Sequence, residues 1–215
     1  PGLTNLVPSV VAGALKSLGR GGSEQIIISN AVPNANYYLG VKSEDMMAAA
    51  FRDHTKGFER DFVYRAVTFY SNEMFLRRDG ALVKIEKPDS ANANVHRDLL
   101  LLELRDDWTT GGQTYPAGAL IAADFEGFLK GERRFDVLFE PAERKSLAGF
   151  SPTLDHVLVN ELDNVRNRVY VLTRKDGKWT REPLPGMPEL GTVSASGVDD
   201  EEEAIRPDAT CPAKP

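Results

Sequence analysis

Ser151 and His156 are the residues whose types and spacing come nearest to a catalytic pair. A serine nucleophile needs a base to accept its proton, and an imidazole five residues away could serve only if the fold brought the two together. The surrounding run GFSPT (149–153) matches the first half of the G-x-S-x-G nucleophile turn but lacks its second glycine, and Pro152 has no N–H to offer an oxyanion. We therefore expect no catalytic residue in this chain. The alternative is that Ser151 and His156 form a catalytic pair.

Carboxylates beside an aromatic platform are the second candidate for chemistry. Glu103, Asp106 and Asp107 lie close to Trp108, and glycoside hydrolysis uses a pair of carboxylates whose separation only the fold decides. Trp108 and Trp179 are the candidates for stacking against a ligand, although tryptophans more often pack in a core. The binding residues are otherwise unassigned by the sequence.

Metal and cofactor sites are not expected. The three histidines, His54, His96 and His156, are far apart and none belongs to an H-x-x-x-H or H-E-x-x-H pattern. The acidic run DDEEE (199–203) lacks the spaced ligands and turn glycine of a calcium loop. We predict no metal and no cofactor.

Charge and hydropathy exclude two classes of partner. The formal net charge is −6, and a nucleic-acid surface needs clustered lysine and arginine, so no nucleic-acid partner is expected. The apolar-leaning run at 6–18 contains a proline and a lysine and is too short to span a bilayer, so no membrane partner is expected. These features predict a soluble protein, cytoplasmic or periplasmic. The chain begins at Pro1 without a methionine, as a fragment or processed product would.

Short apolar runs separated by turn signals predict β-structure. DFVYRAVTFY (61–70) alternates as a strand does, and the four leucines at 99–102 are typical of a strand buried on both faces. Asp79-Gly80 and Asp176-Gly177 each join two such runs and predict hairpins. FEGFLKG (125–131) has helical spacing and predicts one or two helical turns.

The chain divides into three zones by composition. Residues 1–36 are a poorly assigned N-terminal segment, 37–196 hold the strands, and 197–215 are an acidic and proline-rich tail. Hairpin-linked groups recur about every 40 to 50 residues, which is the period of propeller blades. The predicted fold class is all-β, a partial or small β-propeller of about three to four four-stranded antiparallel blades.

Two long runs, 51–88 and 96–173, carry a family resemblance. Their most specific pieces are HRDLLLLELRDDW, TYPAGALIA, FDVLFEP and HVLVNELDNVRNRVYVLT. These runs resemble the β-propeller domain of the bacterial prolyl oligopeptidase family of serine peptidases. In that family an α/β-hydrolase domain carries the Ser-Asp-His triad, and the propeller caps its active site and admits short, unfolded peptides. The resemblance implies two partners, a hydrolase domain and a peptide substrate, and no residue here corresponds to the triad.

The leading functional hypothesis is therefore a non-catalytic propeller segment that gates access to a peptidase. Two alternatives stay open: a stand-alone esterase or glycosidase on a truncated propeller, and a peptide- or carbohydrate-binding module. An incomplete propeller exposes apolar blade faces that would normally meet a neighbouring blade. We therefore also expect self-association into a homo-oligomer through these faces.

Overall fold

The computed structural model describes residues 24–28, 46–186, 193–197 and 205–209, the first and last of these ranges as backbone strands. The run at 6–18 and the acidic run at 199–203 lie outside the described residues. The chain forms two compact units, Pro1–Ala93 and Asn94–Pro215. In the described part, no helix has the length and apolar character needed to cross a bilayer.

The first unit is one antiparallel sheet in which sequence neighbours pair in order. Its strands are β1 (Glu24–Ile28), β2 (Met47–Asp53), β3 (Arg60–Ala66), β4 (Asn72–Arg78) and β5 (Ala81–Lys84). The hairpin predicted at Asp79-Gly80 is confirmed between β4 and β5, where both residues have positive φ, 51° and 79°. Ala48, Ala50 and Val63 form a small core against Phe75 and Leu82.

Strand β3 ends earlier than the alternation predicted. The pattern continues to Tyr70, but the strand stops at Ala66 because the next residues close a turn. Val67 N–H donates to the Ser71 carbonyl at 3.0 Å, and the hydroxyls of Thr68 and Ser71 lie 2.8 Å apart. The rings of Phe69 and Tyr70 are consequently exposed.

A buried ammonium group ties the loop after β5 to the start of β4. Lys87 Nζ donates to the carbonyl oxygens of Asn72 at 2.9 Å and Pro88 at 3.2 Å. Burial lowers the pKa of Lys87 to about 8, because the ammonium loses more hydration than two carbonyls replace. Lys84 behaves oppositely: its hydrogen bond to Glu73 raises its pKa.

We predict that Lys87 makes the chain more stable as pH rises through the window from about 8 to about 10.5. In this window the unfolded chain binds the Lys87 proton and the folded chain does not, so the free energy of unfolding increases, by about 3 kcal/mol at most. Urea unfolding across this pH range would show the increase in the wild type relative to Lys87→Met. Deprotonation of Lys84 at still higher pH lowers the free energy of unfolding of both proteins, so its effect cancels in the comparison. Parallel curves for the two proteins would contradict the prediction.

The second unit contains two four-stranded antiparallel sheets and two short ribbons. The first sheet, with order β11-β10-β7-β6, is built from β6 (Asn92–His96), β7 (Leu99–Glu103), β10 (Leu120–Asp124) and β11 (Asp136–Phe139). A ribbon of β8 (Trp108–Thr110) and β9 (Gln113–Tyr115) lies between β7 and β10 in sequence. The helix predicted at 125–131 is confirmed as α1 (Phe125–Leu129), whose N-cap Asp124 accepts from Gly127 N–H at 2.6 Å.

The second sheet pairs its strands in sequence order. It consists of β12 (Lys145–Pro152), β13 (His156–Asp163), β14 (Arg166–Lys175) and β15 (Lys178–Pro183). The hairpin predicted at Asp176-Gly177 is confirmed, with φ values of 51° and 74°. The second ribbon pairs β16 (Val193–Gly197) with β17 (Ile205–Ala209), and β16 packs against this sheet.

Strand β13 is buried on both faces. Its side chains point alternately to the two faces, and each face packs against a different element. Val157 and Val159 point toward the first four-stranded sheet, where they join Leu101 and Leu138 in one core. Leu158 points the other way and packs with Val169 and Ala195 under β16. Asn160 shares this second face and clamps the Ala195 backbone, donating to its carbonyl at 2.9 Å and accepting from its N–H at 2.8 Å.

The all-β class and the four-stranded antiparallel sheets are confirmed. The four leucines at 99–102 are confirmed as a strand buried on both faces, with exposures of 0 to 9%. The first unit differs from the predicted blade because β1 adds a fifth strand. Strands β1 and β17 lie within the zones 1–36 and 197–215, and the zone boundaries at 36 and 196 stay a prediction.

Candidate functional site

A polar cavity of about 430 Å³ opens at one end of the interface between the two four-stranded sheets. Three hairpin ends line it: residues 96–99 at the β6–β7 turn, residues 153–157 at the β12–β13 turn, and Arg174, Gly177 and Trp179 of the β14–β15 hairpin. Hairpin ends are polar and carry side chains that the strands hold in fixed directions. The cavity therefore gathers groups that are distant in sequence.

Two hydrogen bonds join the first two connections. His96 Nε2 lies 2.8 Å from the Thr153 carbonyl oxygen and must donate, because that oxygen only accepts. Arg97 Nη1 donates to the Leu154 carbonyl at 3.3 Å. Arg97 has a φ of 55°, so the β6–β7 turn is tight and aims this side chain across the interface. His96 and Thr153 are both buried, which makes this wall of the cavity rigid.

Arg174 supplies the third side of the cavity. Its Nη1 donates to Asp98 Oδ2 at 3.2 Å, and the two side chains are 31% and 56% exposed. Its Nε is buried and has no hydrogen-bond partner within the described residues. A buried N–H without an acceptor costs about 1 to 3 kcal/mol, so this atom lowers the stability of the interface.

Trp179 is the tryptophan that reaches the cavity. Its indole N–H donates to Asp136 Oδ2 at 3.0 Å, and its ring packs on the core between the sheets. Trp108 lies elsewhere, edge-on to Phe135 with ring centroids 5.2 Å apart. Phe135 also contacts the rings of Tyr115 and Phe128, so Trp108 belongs to an aromatic cluster that fastens the β8–β9 ribbon. The structure therefore keeps the two predicted binding candidates at separate places.

Ser151 and His156 lie on neighbouring strands of one sheet, and each forms a hydrogen bond with a different residue. Ser151 Oγ accepts from Gly197 N–H at 2.9 Å, which holds the end of β16. His156 Nδ1 lies 2.7 Å from Thr173 Oγ1 across the β13–β14 pair, and His156 lines the cavity. The Cα partner of Ser151 is Leu158, two positions beyond His156. The assignment of no catalytic residue, and its Ser151/His156 alternative, both stay predictions.

The carboxylates near Trp108 take structural positions. Glu103 is the last residue of β7, and Asp107 Oδ1 accepts from Ala117 N–H at 2.8 Å, which closes the loop that carries β8 and β9. Within the described residues, histidine, cysteine and acidic side chains form no group of three placed to hold a metal ion. The prediction of no metal stays a prediction for the whole chain.

Sequence reasoning missed Arg97, Asp98 and Arg174 as cavity residues. Arg174 and Asp98 are 76 residues apart, and nothing in their local patterns distinguishes them from ordinary turn and strand-end residues.

Similar proteins are peptidases. The uncharacterized peptidase y4nA of Sinorhizobium fredii (strain NBRC 101917 / NGR234) is 28% identical over 162 residues, 72% of this chain and 22% of that protein. The uncharacterized peptidase RP174 of Rickettsia prowazekii (strain Madrid E) is 30% identical over 129 residues, 58% of this chain and 18% of that protein. No protein-family model matches the chain.

A solved structure shares the fold. A post-proline cleaving enzyme from Rickettsia typhi superimposes with a TM-score of 0.65 and 22% identity over 73% of this chain and 24% of that enzyme. The resemblance to the prolyl oligopeptidase propeller is confirmed. The two four-stranded sheets of this chain pack face to face through one apolar core, as neighbouring propeller blades do. The chain spans less than a quarter of the length of these relatives.

Proposed function

We propose that this chain is a non-catalytic propeller segment that gates substrate access to the hydrolase domain of a prolyl-oligopeptidase-like serine peptidase. The observation that carries the proposal is the shared core of the two four-stranded sheets, in which Leu101, Leu120 and Leu138 of one sheet meet Val157, Val159 and Leu172 of the other. Such a core makes the sheets a stiff wall. A stiff wall can exclude folded proteins while leaving a path for short peptides.

The proposed partners follow from the same role. They are a hydrolase domain that carries the catalytic serine and a peptide substrate that passes the propeller. Self-association through open sheet faces stays a prediction, which light scattering at high protein concentration would test. Phe69 and Tyr70, whose rings are 82% and 76% exposed, are apolar surface of the first unit that such contacts would cover.

The absence of a nucleophile is tested with a fluorophosphonate probe, which labels activated serines. We expect intact-mass measurement to show no labelling of the chain and no turnover of proline-containing peptides or aryl esters. An active serine peptidase treated in parallel checks the reagent. Labelling that disappears in Ser151→Ala would refute the non-catalytic role and favour the stand-alone hydrolase.

The gating role itself is tested in the full-length peptidase that carries this segment. Leu101→Ala weakens the wall without touching the hydrolase domain. We expect kcat/KM for a tripeptide substrate to stay within about twofold, whereas cleavage of an unfolded chain of about 50 residues increases several-fold, because the limit on size is relaxed. An equal change for both substrates would argue against gating.

A further inference from the structure

The two-residue turn between β13 and β14 has an unusual residue at its second position. Asn164 and Val165 have φ values of 50° and 67°, and both central residues of the favoured hairpin turn need positive φ. The other two-residue turns Asp79-Gly80 and Asp176-Gly177 have glycine at that position. A β-branched side chain crowds the backbone when φ is positive, so valine makes this turn less stable than glycine would.

Packing within the chain does not offset this strain. The Val165 side chain is 92% exposed, so it gains almost nothing from burial. Its turn is nevertheless held in place, because Asn164 N–H donates to the Arg144 carbonyl at 2.9 Å and Asn164 Nδ2 donates to Asp163 Oδ1 at 2.9 Å. Strained residues that the surrounding structure fixes in this way cluster at binding sites and switch regions.

A groove of about 420 Å³, here called the tip groove, lies beside the turn. It is lined by Arg144, Ser146, Leu162, Asn164 and Val165. Leu162 lies on the same face of β13 as Leu158 and Asn160, which β16 covers. The tip groove therefore places half-buried Leu162 next to exposed Val165, and a partner's apolar side chain could contact both.

The charges at this end of the sheet are opposite in sign to those of the whole chain. Residues 143–146 and 162–168 contain four basic and two acidic side chains, a formal charge of +2, whereas the chain carries −6. One of the acids, Asp163, pairs with Arg168 at 3.5 Å. Among the described residues, three exposed basic side chains of this end form no ion pair: Arg144, Lys145 and Arg166. Acidic groups of a partner would complement them.

We propose that the tip groove docks an acidic segment of a protein partner. An apolar side chain of that segment lies against Val165 and Leu162, and its carboxylates lie beside the three basic residues. The proposal goes beyond the gating role and does not depend on it. A nucleic acid suits this end less well, because the net charge of −6 repels a polyanion and the groove adds apolar surface.

Peptide titration followed by NMR tests the chemistry of the partner. The probe is the N-acetylated amide of Glu-Glu-Leu-Glu-Glu, and two control peptides replace the leucine with glycine or every glutamate with glutamine. The backbone N–H signals of Asn164 and Val165 report binding. The indole N–H signal of Trp179, at the opposite end of the sheet, is the reference. We expect the probe to move only the first two signals, and each control peptide to bind at least about fivefold more weakly.

Val165→Gly separates the strain from the binding. We expect its Tm to rise by about 2 to 4 °C, because glycine adopts positive φ without crowding, and its affinity for the probe to fall at least about fivefold. Val137→Gly is the matched control, because Val137 is an exposed valine on β11 of the other sheet. It should lower the Tm and leave binding unchanged, since glycine weakens a strand. A Tm of Val165→Gly at or below that of the wild type would overturn the proposal.

The double variant Lys145→Met with Arg166→Met tests the charges. It should weaken probe binding at least about tenfold, whereas Lys175→Met with Lys178→Met, which removes two exposed lysines at the opposite end of the sheet, should not. Thermal unfolding verifies that both variants are folded. No binding at millimolar probe, equal affinity for the glutamine peptide, or wild-type affinity in Lys145→Met with Arg166→Met would overturn the proposal. Tighter binding of a single-stranded DNA 12-mer than of the probe would overturn it in favour of a nucleic-acid site.

Discussion

Arg181→Met is expected to lower the free energy of unfolding by about 3 kcal/mol or more, because it leaves the Glu161 carboxylate buried without a counter-ion. Glu161 lies on β13 and its side chain is 1% exposed, whereas the Arg181 side chain is 36% exposed. Arg181 Nη2 binds Glu161 Oε1, and its Nη1 donates to the Leu138 carbonyl of the other sheet at 3.4 Å. The guanidinium also lies 3.9 Å from the Tyr170 ring centroid. Urea unfolding of the whole chain measures the change.

Two further variants separate charge pairing from packing. The double variant Glu161→Leu with Arg181→Met removes both charges and should recover about half of the loss or more, because no unpaired ion remains. Arg168→Met, which removes an exposed ion pair with Asp163, should cost less than about 1 kcal/mol. If Arg181→Met and Arg168→Met proved equally mild, the Glu161–Arg181 pair would not be a determinant of this interface.

Leu101→Ala is expected to lower the free energy of unfolding by about 3 kcal/mol, the usual cost of a cavity at a fully buried leucine. Leu101 is 0% exposed and lies in the core shared by the two four-stranded sheets. Because that core is common to both sheets, they should unfold together. The Trp108 and Trp179 signals should therefore follow one transition at a lower urea concentration.

The control for this prediction is Val137→Ala on β11 of the same sheet. Val137 is 44% exposed, so its truncation should cost less than about 1 kcal/mol. Separate transitions for the two tryptophans in Leu101→Ala would show that the sheets do not share a cooperative core, and would weaken the stiff-wall argument for gating.

Local patterns predicted the elements better than the site. The hairpins at Asp79-Gly80 and Asp176-Gly177 and the helix at 125–131 follow from residues within a few positions of each other, since turns and caps are local. The extension of β3 to Tyr70 was wrong because Val67, Thr68 and Ser71 form a turn whose hydrogen bonds outweigh the alternation. The cavity could not be predicted, because Arg174 meets Asp98 only when two sheets stack.

Trp108 and Trp179 also show that the local sequence does not predict a tertiary contact. Both are partly buried, in similar polar surroundings in the sequence, yet one packs on Phe135 under a ribbon and the other closes a cavity between sheets. The decisive contact of Trp179 is with Asp136, 43 residues away.

The sequence by itself determined the all-β class, the hairpins and the double burial of β7, because side-chain alternation and turn chemistry act over a few residues. Its longer runs also carried the resemblance to the prolyl oligopeptidase propeller. Only the tertiary structure decided that Asn160 clamps β16, that Glu161 is neutralised by Arg181, and that Arg174 retains an unused donor. These outcomes depend on which sheet faces meet, and no spacing along one chain encodes the partner of a face.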